Sequence, residues 1–266
     1  MKGEFRVPQH WMGSPISIML VGAGGTGSQL ADQLASMDCT LRRLGHPGLS
    51  VCIADGDCVS DSNVGRQRFT AQDIGCNKAV LLCHRINAFY QVDWEASPKH
   101  VDGRAMNGLA RSDLVITAVD KASFRADLGS RFRNQTTRAL WLDLGNGPDS
   151  GNVILGHLGK CQEGQARLPN VFDLFPELSR MHAVDAEMPS CSTEEAISRQ
   201  SWPVNRVAAI AASDLLWSLL RHGRISTHGT FFRLNPMTMQ PIMIDSDVWS
   251  FMGYKEPSSA QKRKRR

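Results

Sequence analysis

The stretch VGAGGTGSQLADQLA at residues 21–35 limits the folds open to this chain more than any other feature. It follows the apolar run PISIMLV and leads into an amphipathic helical pattern. A strand, a glycine turn and a helix in this order form the phosphate-binding unit of nucleotide-binding α/β domains, in which glycines allow the turn, the close approach of a phosphate and tight helix packing. We assign the turn to Gly22, the phosphate approach to Gly24 and the helix packing to Gly27, and Gly25 is a further candidate for nucleotide binding. The turn alone does not choose between a nicotinamide, a flavin and ATP.

Apolar runs alternate with helical patterns through the first half of the chain. The runs LSVCIAD, SDLVITAVD and ALWLDLGNG predict strands, and helices are predicted from about Asp73, which we expect to be the N-cap, and through SFRADLGSRF. Such alternation predicts an α/β fold, a Rossmann-like, mostly parallel sheet flanked by helices. Beyond it we expect a polar crossover loop over about 161–201, a helix over NRVAAIAASDLLWSLLRHG and a C-terminal β-hairpin.

The predicted domain organisation is one domain over residues 1–256, with a nucleotide-binding core at about 15–147, followed by a disordered basic tail at 257–266. The net charge is +4, and five basic residues lie at the very C terminus, so the body is about neutral. We therefore expect no nucleic-acid-binding surface beyond weak, nonspecific contacts of the tail.

Hydropathy and cysteine spacing exclude several classes of protein. No apolar run approaches the roughly 20 residues of a membrane-spanning helix, and the N terminus lacks a signal-peptide pattern, so we expect a cytoplasmic protein without membrane contact. The seven cysteines never occur in C-x-x-C spacing, which argues against a disulfide framework and a zinc site.

Polar residues after the second predicted strand favour a triphosphate as the ligand. Asp55 ends that strand and could bond ribose hydroxyls. A hydride-transfer site has no need for the cations and amides that follow, whereas Arg66 and Lys78 can neutralise phosphate oxygens, and Asp120 or Asp57 can hold Mg²⁺. The candidate nucleotide-binding and catalytic side chains in this region are Asp55, Asp57, Asn63, Arg66, Gln67, Lys78 and Asp120.

The ordered motifs GxGGxG, D-x-D-x-V-x-x-S-N-x-x-R-Q and D-I-G-x-x-K, followed by a strand ending in Asp, resemble the adenylation domain of the ubiquitin-activating (E1-like) superfamily, the group of ThiF and MoeB. The later stretches PSCSTEEAISRQ and HGTFFRLN are similar to the ThiF-related protein of plasmid-borne PRTRC cassettes. The resemblance implies that Asp55 contacts ribose, that Asn63, Arg66 and Lys78 contact phosphates, and that Asp120 coordinates Mg²⁺.

The resemblance also implies an activity and partners. An E1-like enzyme adenylates the C-terminal carboxylate of a ubiquitin-like or sulfur-carrier protein with ATP, usually as a homodimer, and an E2-like or other cassette protein could act with it. Many relatives bind zinc through two C-x-x-C pairs, which this chain lacks, and many borrow an arginine from the partner's N-terminal helix, for which only Arg6 is available. Two alternatives stay open: adenylation of a tRNA base, and a non-catalytic ATP-binding assembly partner.

A thioester step would need a cysteine in the crossover loop, where the candidates are Cys191 and Cys161. Cys191 is favoured because Ser192 and Glu195 have capping-box spacing, which predicts a helix beginning just after the cysteine. A thiol beside a helix N-terminus has a lowered pKa and a larger thiolate fraction. Two other outcomes stay open: an unreactive Cys191, and chemistry that stops at the adenylate.

Overall fold

The computed structural model describes residues 3–162, 166–180 and 201–254. Its main sheet has eight strands in the order β10-β9-β7-β6-β5-β2-β3-β4, with helices on both faces. The pairings among β4, β3, β2, β5 and β6 are parallel, and those among β6, β7, β9 and β10 are antiparallel. The predicted α/β fold is therefore confirmed, with a mixed sheet in which four of seven pairings are parallel.

The parallel half consists of β2 (Ile16–Val21), β3 (Leu49–Ala54), β4 (Glu95–Ser97), β5 (Leu114–Thr117) and β6 (Leu140–Asn146). Its helices are α1 (Gly25–Arg43), α2 (Lys78–Tyr90) and α3 (Ala122–Phe132). Every residue of β5 is buried, because a central parallel strand has both faces covered by helices.

The antiparallel half consists of β7 (Ser150–His157), β9 (Thr227–Leu234) and the edge strand β10 (Met237–Met243). The predicted C-terminal helix is α5 (Val204–His222), which packs against α1, and β9 and β10 form the predicted hairpin. A short α6 (Ser246–Phe251) follows the hairpin, and a separate two-stranded sheet pairs β1 (Phe5–Arg6) with β8 (Arg224–Ile225). No helix of the described chain is long and apolar enough to cross a membrane.

Two details differ from the sequence-based expectations. Helix α2 begins at Lys78, and its N-cap is Asn77, whose side chain accepts a hydrogen bond from the backbone N–H of Val80. Asp73 instead closes a preceding 3₁₀ turn, where it accepts from the backbone N–H of Thr70 and pairs with Arg85 at 2.6 Å. The prediction failed because both residue types are favoured caps, and the two lie only four positions apart.

The expected crossover loop is not irregular throughout. Helix α4 (Val171–Leu174) and a 3₁₀ helix (Pro176–Arg180) lie within it and pack against α3. Asn170 and Asp173 form a reciprocal capping box at the start of α4. This local capping, together with burial of Phe172 against Gly129, orders a stretch whose polar composition suggested a loop.

Candidate functional site

The glycine turn between β2 and α1 has the geometry of an anion-binding unit. Gly22 has a φ of 97°, in the left-handed region that favours glycine, and a Cβ at this position would lie 2.6 Å from the carbonyl oxygen of Ala118. A Cβ at Gly27 would overlap the carbonyl oxygen of Gly22, so Gly27 permits the close packing of α1 against the turn. The first residues of α1, Gly25 and Thr26, line the same cavity as the ends of the parallel strands, and the N–H groups of a first helical turn lack intrahelical partners and can bind an anion.

A cavity of about 1330 Å³ opens at that edge. It brings together residues that lie far apart in the sequence, from the glycine turn to β10. The predicted site residues that line it are Gly22, Gly24, Gly25, Asp55, Asp57, Arg66, Gln67, Lys78 and Asp120. Ligands of open α/β sheets bind in crevices of this kind, outside the carboxyl ends of the strands.

Asp55 is held in place by backbone donors. Its Oδ2 accepts from the N–H of Ala23 at 2.7 Å and its Oδ1 from the N–H of Asp57 at 2.8 Å. The side chain of Asn77 donates to the backbone oxygens of Asp55 and Asp57, at 2.9 and 3.2 Å, while it caps α2. The carboxylate therefore links the glycine turn to the loop that carries Asp57, the ion-pair partner of Lys78.

Lys78 and Asp57 form a half-buried ion pair in the cavity. Nζ of Lys78 lies 3.2 Å from Oδ2 of Asp57, and the two side chains are 9% and 56% exposed. His100 Nε2 lies 3.8 Å from the other carboxylate oxygen. A buried ammonium group needs a partner, and an incoming phosphate could replace Asp57 in that role.

Asp120 is exposed and lies three residues beyond the end of β5. Beneath its loop, Arg125 forms a buried ion pair with Asp143, with Nε at 2.9 and 2.8 Å from the two carboxylate oxygens. The same guanidinium donates to the carbonyls of Val119 and Leu144 at 2.8 and 3.0 Å. Arg125 thus ties the loop of Asp120 to β6.

Sequence reasoning missed this ion pair. Thr117 Oγ1 donates to Asp143 and accepts from Trp141 Nε1, so the buried carboxylate accepts hydrogen bonds from both Arg125 and Thr117. The available signal was Asp143 itself, a charged residue within an apolar strand, which is rare without a buried partner.

A second network that was not foreseen joins α1, β6 and α5 at the cavity wall. Asn205 Oδ1 accepts from Thr26 Oγ1 and from Asn146 Nδ2, both at 2.9 Å, and Asn146 Nδ2 also donates to Thr26 Oγ1. Thr26 and Asn205 are separated by 179 positions, so no local pattern could have paired them.

Two predicted residues are not brought into the cavity lining. Gly27 serves packing, as described, and Asn63 is buried in a capping box, where its Oδ1 accepts from the N–H of Ser60 at 2.9 Å. The predicted tail at 257–266 and Cys191, with its capping box of Ser192 and Glu195, lie outside the described residues. Cys161 is described, and burial raises the pKa of its thiol to about 11, which disfavours the thiolate.

Other polar residues of this region have structural partners. Arg68 pairs with Asp32 at 3.1 Å. Arg6 lies in β1 and pairs with Glu4. Within the described ranges, no group of three or more His, Cys, Asp or Glu side chains is arranged to hold a metal ion.

A sequence model of the ThiF family matches residues 14–248. No functionally curated protein matches the chain. Among solved structures, PaaA superposes with a TM-score of 0.58 at 19% identity, over 86% of this chain and 64% of that one. E. coli MccB with ATP superposes with a TM-score of 0.58 at 12% identity, over 92% of this chain and 66% of that one. MccB with AMPCPP and MccA superposes with a TM-score of 0.55 at 13% identity, over 86% of this chain and 64% of that one. At these identities the likeness concerns the fold, and the chain spans about 64% of the length of PaaA.

Proposed function

The chain belongs to the ThiF family, and we propose that it uses ATP to adenylate the C-terminal carboxylate of a ubiquitin-like or sulfur-carrier protein. The observation that carries the proposal is the convergence of the glycine turn, Asp55, Arg66, Lys78 and Asp120 on one cavity. MccB, whose fold is similar, has been crystallised with ATP and with MccA. A nucleotide together with a polypeptide substrate suits a cavity of about 1330 Å³, which exceeds the roughly 300–1,000 Å³ of common small-molecule sites.

The residues on the parallel side of the cavity fit ATP. The start of α1 would receive phosphate oxygens at its N–H groups. Asp55 would bond ribose, and Arg66 and Lys78 would neutralise the polyphosphate, with Lys78 exchanging Asp57 for an anionic oxygen.

The proposal places Mg²⁺ in the same cavity. The ion is bound in nucleotide sites by one or two carboxylates together with phosphate oxygens, and Asp120, exposed in the cavity, would hold it, with Asp57 as a second carboxylate. When bound, the ion supplies charge neutralisation on the phosphates. A zinc site is not part of the proposal.

The proposed reaction requires alignment rather than proton transfer. A carboxylate oxygen of the substrate forms a bond to the α-phosphorus, the bond from this phosphorus to the bridging oxygen breaks, and pyrophosphate leaves with that electron pair. The carboxylate is already ionised at neutral pH, so no general base is needed. The chain's contribution is to orient the nucleophile and to spread the developing charge over Arg66 and Lys78.

Several finer assignments belong to the same proposal. The enzyme would act as a homodimer with a carrier, and with an E2-like or other partner from a PRTRC cassette. After adenylation, the thiolate of Cys191 would attack the acyl carbon to form a thioester, the bond from this carbon to the phosphate oxygen would break, and AMP would leave with that electron pair. The test is a thiol-sensitive adduct on a non-reducing gel, which should form in wild type and in Cys161→Ala but not in Cys191→Ala. An adduct that persists in Cys191→Ala would refute this assignment.

The deciding experiment for the activity is ATP–pyrophosphate exchange measured against each small protein encoded beside this gene. Exchange that depends on one carrier and its free C-terminal carboxylate is the expected result. Exchange driven by tRNA instead would establish the tRNA-base alternative. ATP binding without exchange for any partner would establish the non-catalytic alternative, and binding of NAD without ATP would reject the nucleotide assignment.

A further inference from the structure

Asn146 at the end of β6 has a buried side-chain oxygen, Oδ1, for which the described residues offer no hydrogen-bond partner. Its Nδ2 is engaged by Thr26 and Asn205, which fixes the orientation of the amide. Asn146 lines the cavity. A buried acceptor without a donor costs free energy, so an orphaned oxygen at a ligand site indicates that the ligand brings a donor.

ATP does not provide a donor at this position. Its phosphates carry only acceptors, so its donors are the ribose hydroxyls and the adenine amine. Asp55, the proposed ribose partner, follows β3, and the cavity residues beyond it, His100, Val101 and Met106, follow β4. In the strand order, β6 is three strand spacings from β3, or about 14 Å. Sugar and base would therefore lie away from Asn146, with the phosphates between them at α1.

In the direction away from the nucleotide, the cavity lining continues from Asn146 onto the antiparallel strands. The cavity runs from Asn146 along β7 and reaches β9 and β10, where its lining includes Asn152, Phe231, Arg233, Thr238 and Gln240. An extended chain that entered from β10 would pass Asn146 just before it reached the N-terminus of α1.

Resting on the proposed function, we propose that Oδ1 of Asn146 accepts a hydrogen bond from the last peptide N–H of the substrate. That N–H lies directly before the reacting carboxylate, so the bond would align the terminal residue toward the α-phosphate. The substrate class would therefore be polypeptide C termini, whose last peptide N–H the site binds. Carboxylic acids that lack the adjacent amide would bind less tightly. A site built around a hydrogen bond rejects an analogue without the donor, because its own polar atom is left unpaired.

The test uses acyl-adenylate mimics of defined structure, so it does not depend on knowing the carrier. Two probes are compared: 5′-O-sulfamoyladenosine acylated with N-acetylglycine, and the same compound acylated with O-acetylglycolic acid, in which an ester oxygen replaces the N–H. Affinities are measured by isothermal titration, with AMP as the nucleotide-only reference. We expect wild type to bind the amide probe about tenfold more tightly than the ester probe.

The variant Asn146→Ala should bring the amide-to-ester ratio close to one while the affinity for AMP changes by less than about twofold. Asn134→Ala removes an exposed side-chain amide that does not line the cavity and should leave the ratio as in wild type. Should Asn146→Ala fail to fold, the two probes on wild type still test the inference, because equal affinities for the amide and the ester would overturn it.

Three results would overturn the inference, and they are distinguishable. Equal affinities of wild type for both probes, each well above that for AMP, would refute the role of Asn146 and leave the proposed function standing. A loss of AMP affinity in Asn146→Ala equal to the loss for the amide probe would assign Oδ1 to the nucleotide. Neither probe binding more tightly than AMP would remove the proposed function and the inference together.

Discussion

The parallel and antiparallel halves of the sheet line one cavity with residues from differently organised parts of the chain, and we call these two sets of residues the parallel and the antiparallel wall. On the parallel side, Gly22, Asp55 and Asp120 lie within three residues of the ends of β2, β3 and β5, and Lys78 directly follows the N-cap of α2. On the antiparallel side, Asn152 and Arg233 belong to strands brought together across about 80 residues. The comparison predicts a division of labour, with nucleotide chemistry on the parallel wall and contacts to the polypeptide on the other.

The largest expected effect concerns the ion pair at the border between the two walls. Arg125→Met leaves Asp143, which is 1% exposed, as an uncompensated buried charge, and should lower the free energy of unfolding by about 3–5 kcal/mol. Urea denaturation measures this loss. The control Arg224→Met breaks an exposed pair with Glu4 and should cost less than about 1 kcal/mol. Equal losses in the two variants would mean that Arg125 does not hold the Asp120 loop to β6.

The sequence could predict the parallel wall because its determinants are local. The turn at Gly22 and the placement of Asp55 after β3 follow from spacing along a few residues. The network of Thr26, Asn146 and Asn205 depends on the packing of α5 beside α1, and the pairing of Arg125 with Asp143 depends on α3 lying over β6, which periodicity alone cannot specify. Sequence reasoning identified the individual elements, but not the contacts between them.

Asp120→Ala should lower pyrophosphate exchange by about 10²–10³-fold, comparable to the loss of a preorganised electrostatic contact to the transition state. The fold should survive, because the side chain is exposed at the end of a loop. Asp93→Ala, at an exposed aspartate away from the cavity, serves as the matched control and should leave exchange unchanged. Exchange at the wild-type rate in Asp120→Ala would contradict the proposed role of the parallel wall.

As the pH falls, the antiparallel half should lose stability at a higher pH than the parallel half. Burial lowers the pKa of His157 on β7 and of His228 on β9 to about 4. In the unfolded chain histidine has a pKa of about 6.5, so below that pH the unfolded state binds more protons and stability falls as the pH drops toward 4. His228 is fully buried between Leu155 O and Trp249 Nε1, and protonation would cost about 3 kcal/mol.

On the parallel side, the corresponding change should occur at lower pH. Burial opposes the charge on Asp73, but hydrogen bonds from Thr70 and Arg85 hold its pKa below the usual value of 3.8, so its contribution is lost only below that pH. Hydrogen exchange at pH 7 and pH 5 should therefore show loss of protection in β7 and β9 first. His228→Gln should reduce the pH dependence between 6.5 and 4. Simultaneous loss of protection in both halves would contradict the comparison.

The smallest expected effect tests the division of labour directly. Arg233 is exposed on β9 and lines the outer part of the cavity, beyond the residues that would hold ATP. If that part receives the polypeptide, Arg233→Ala should raise the KM for the carrier by about tenfold, the range for a contact outside the reacting centre, and leave the KM for ATP unchanged.

Lys78→Ala, on the parallel wall, should show the opposite pattern, because a cation on the phosphates acts on ATP and on the rate of adenylation. Steady-state exchange with each substrate varied in turn separates these outcomes. A rise in the KM for ATP in Arg233→Ala would mean that the nucleotide reaches the antiparallel strands, and that the two walls do not divide the substrates between them.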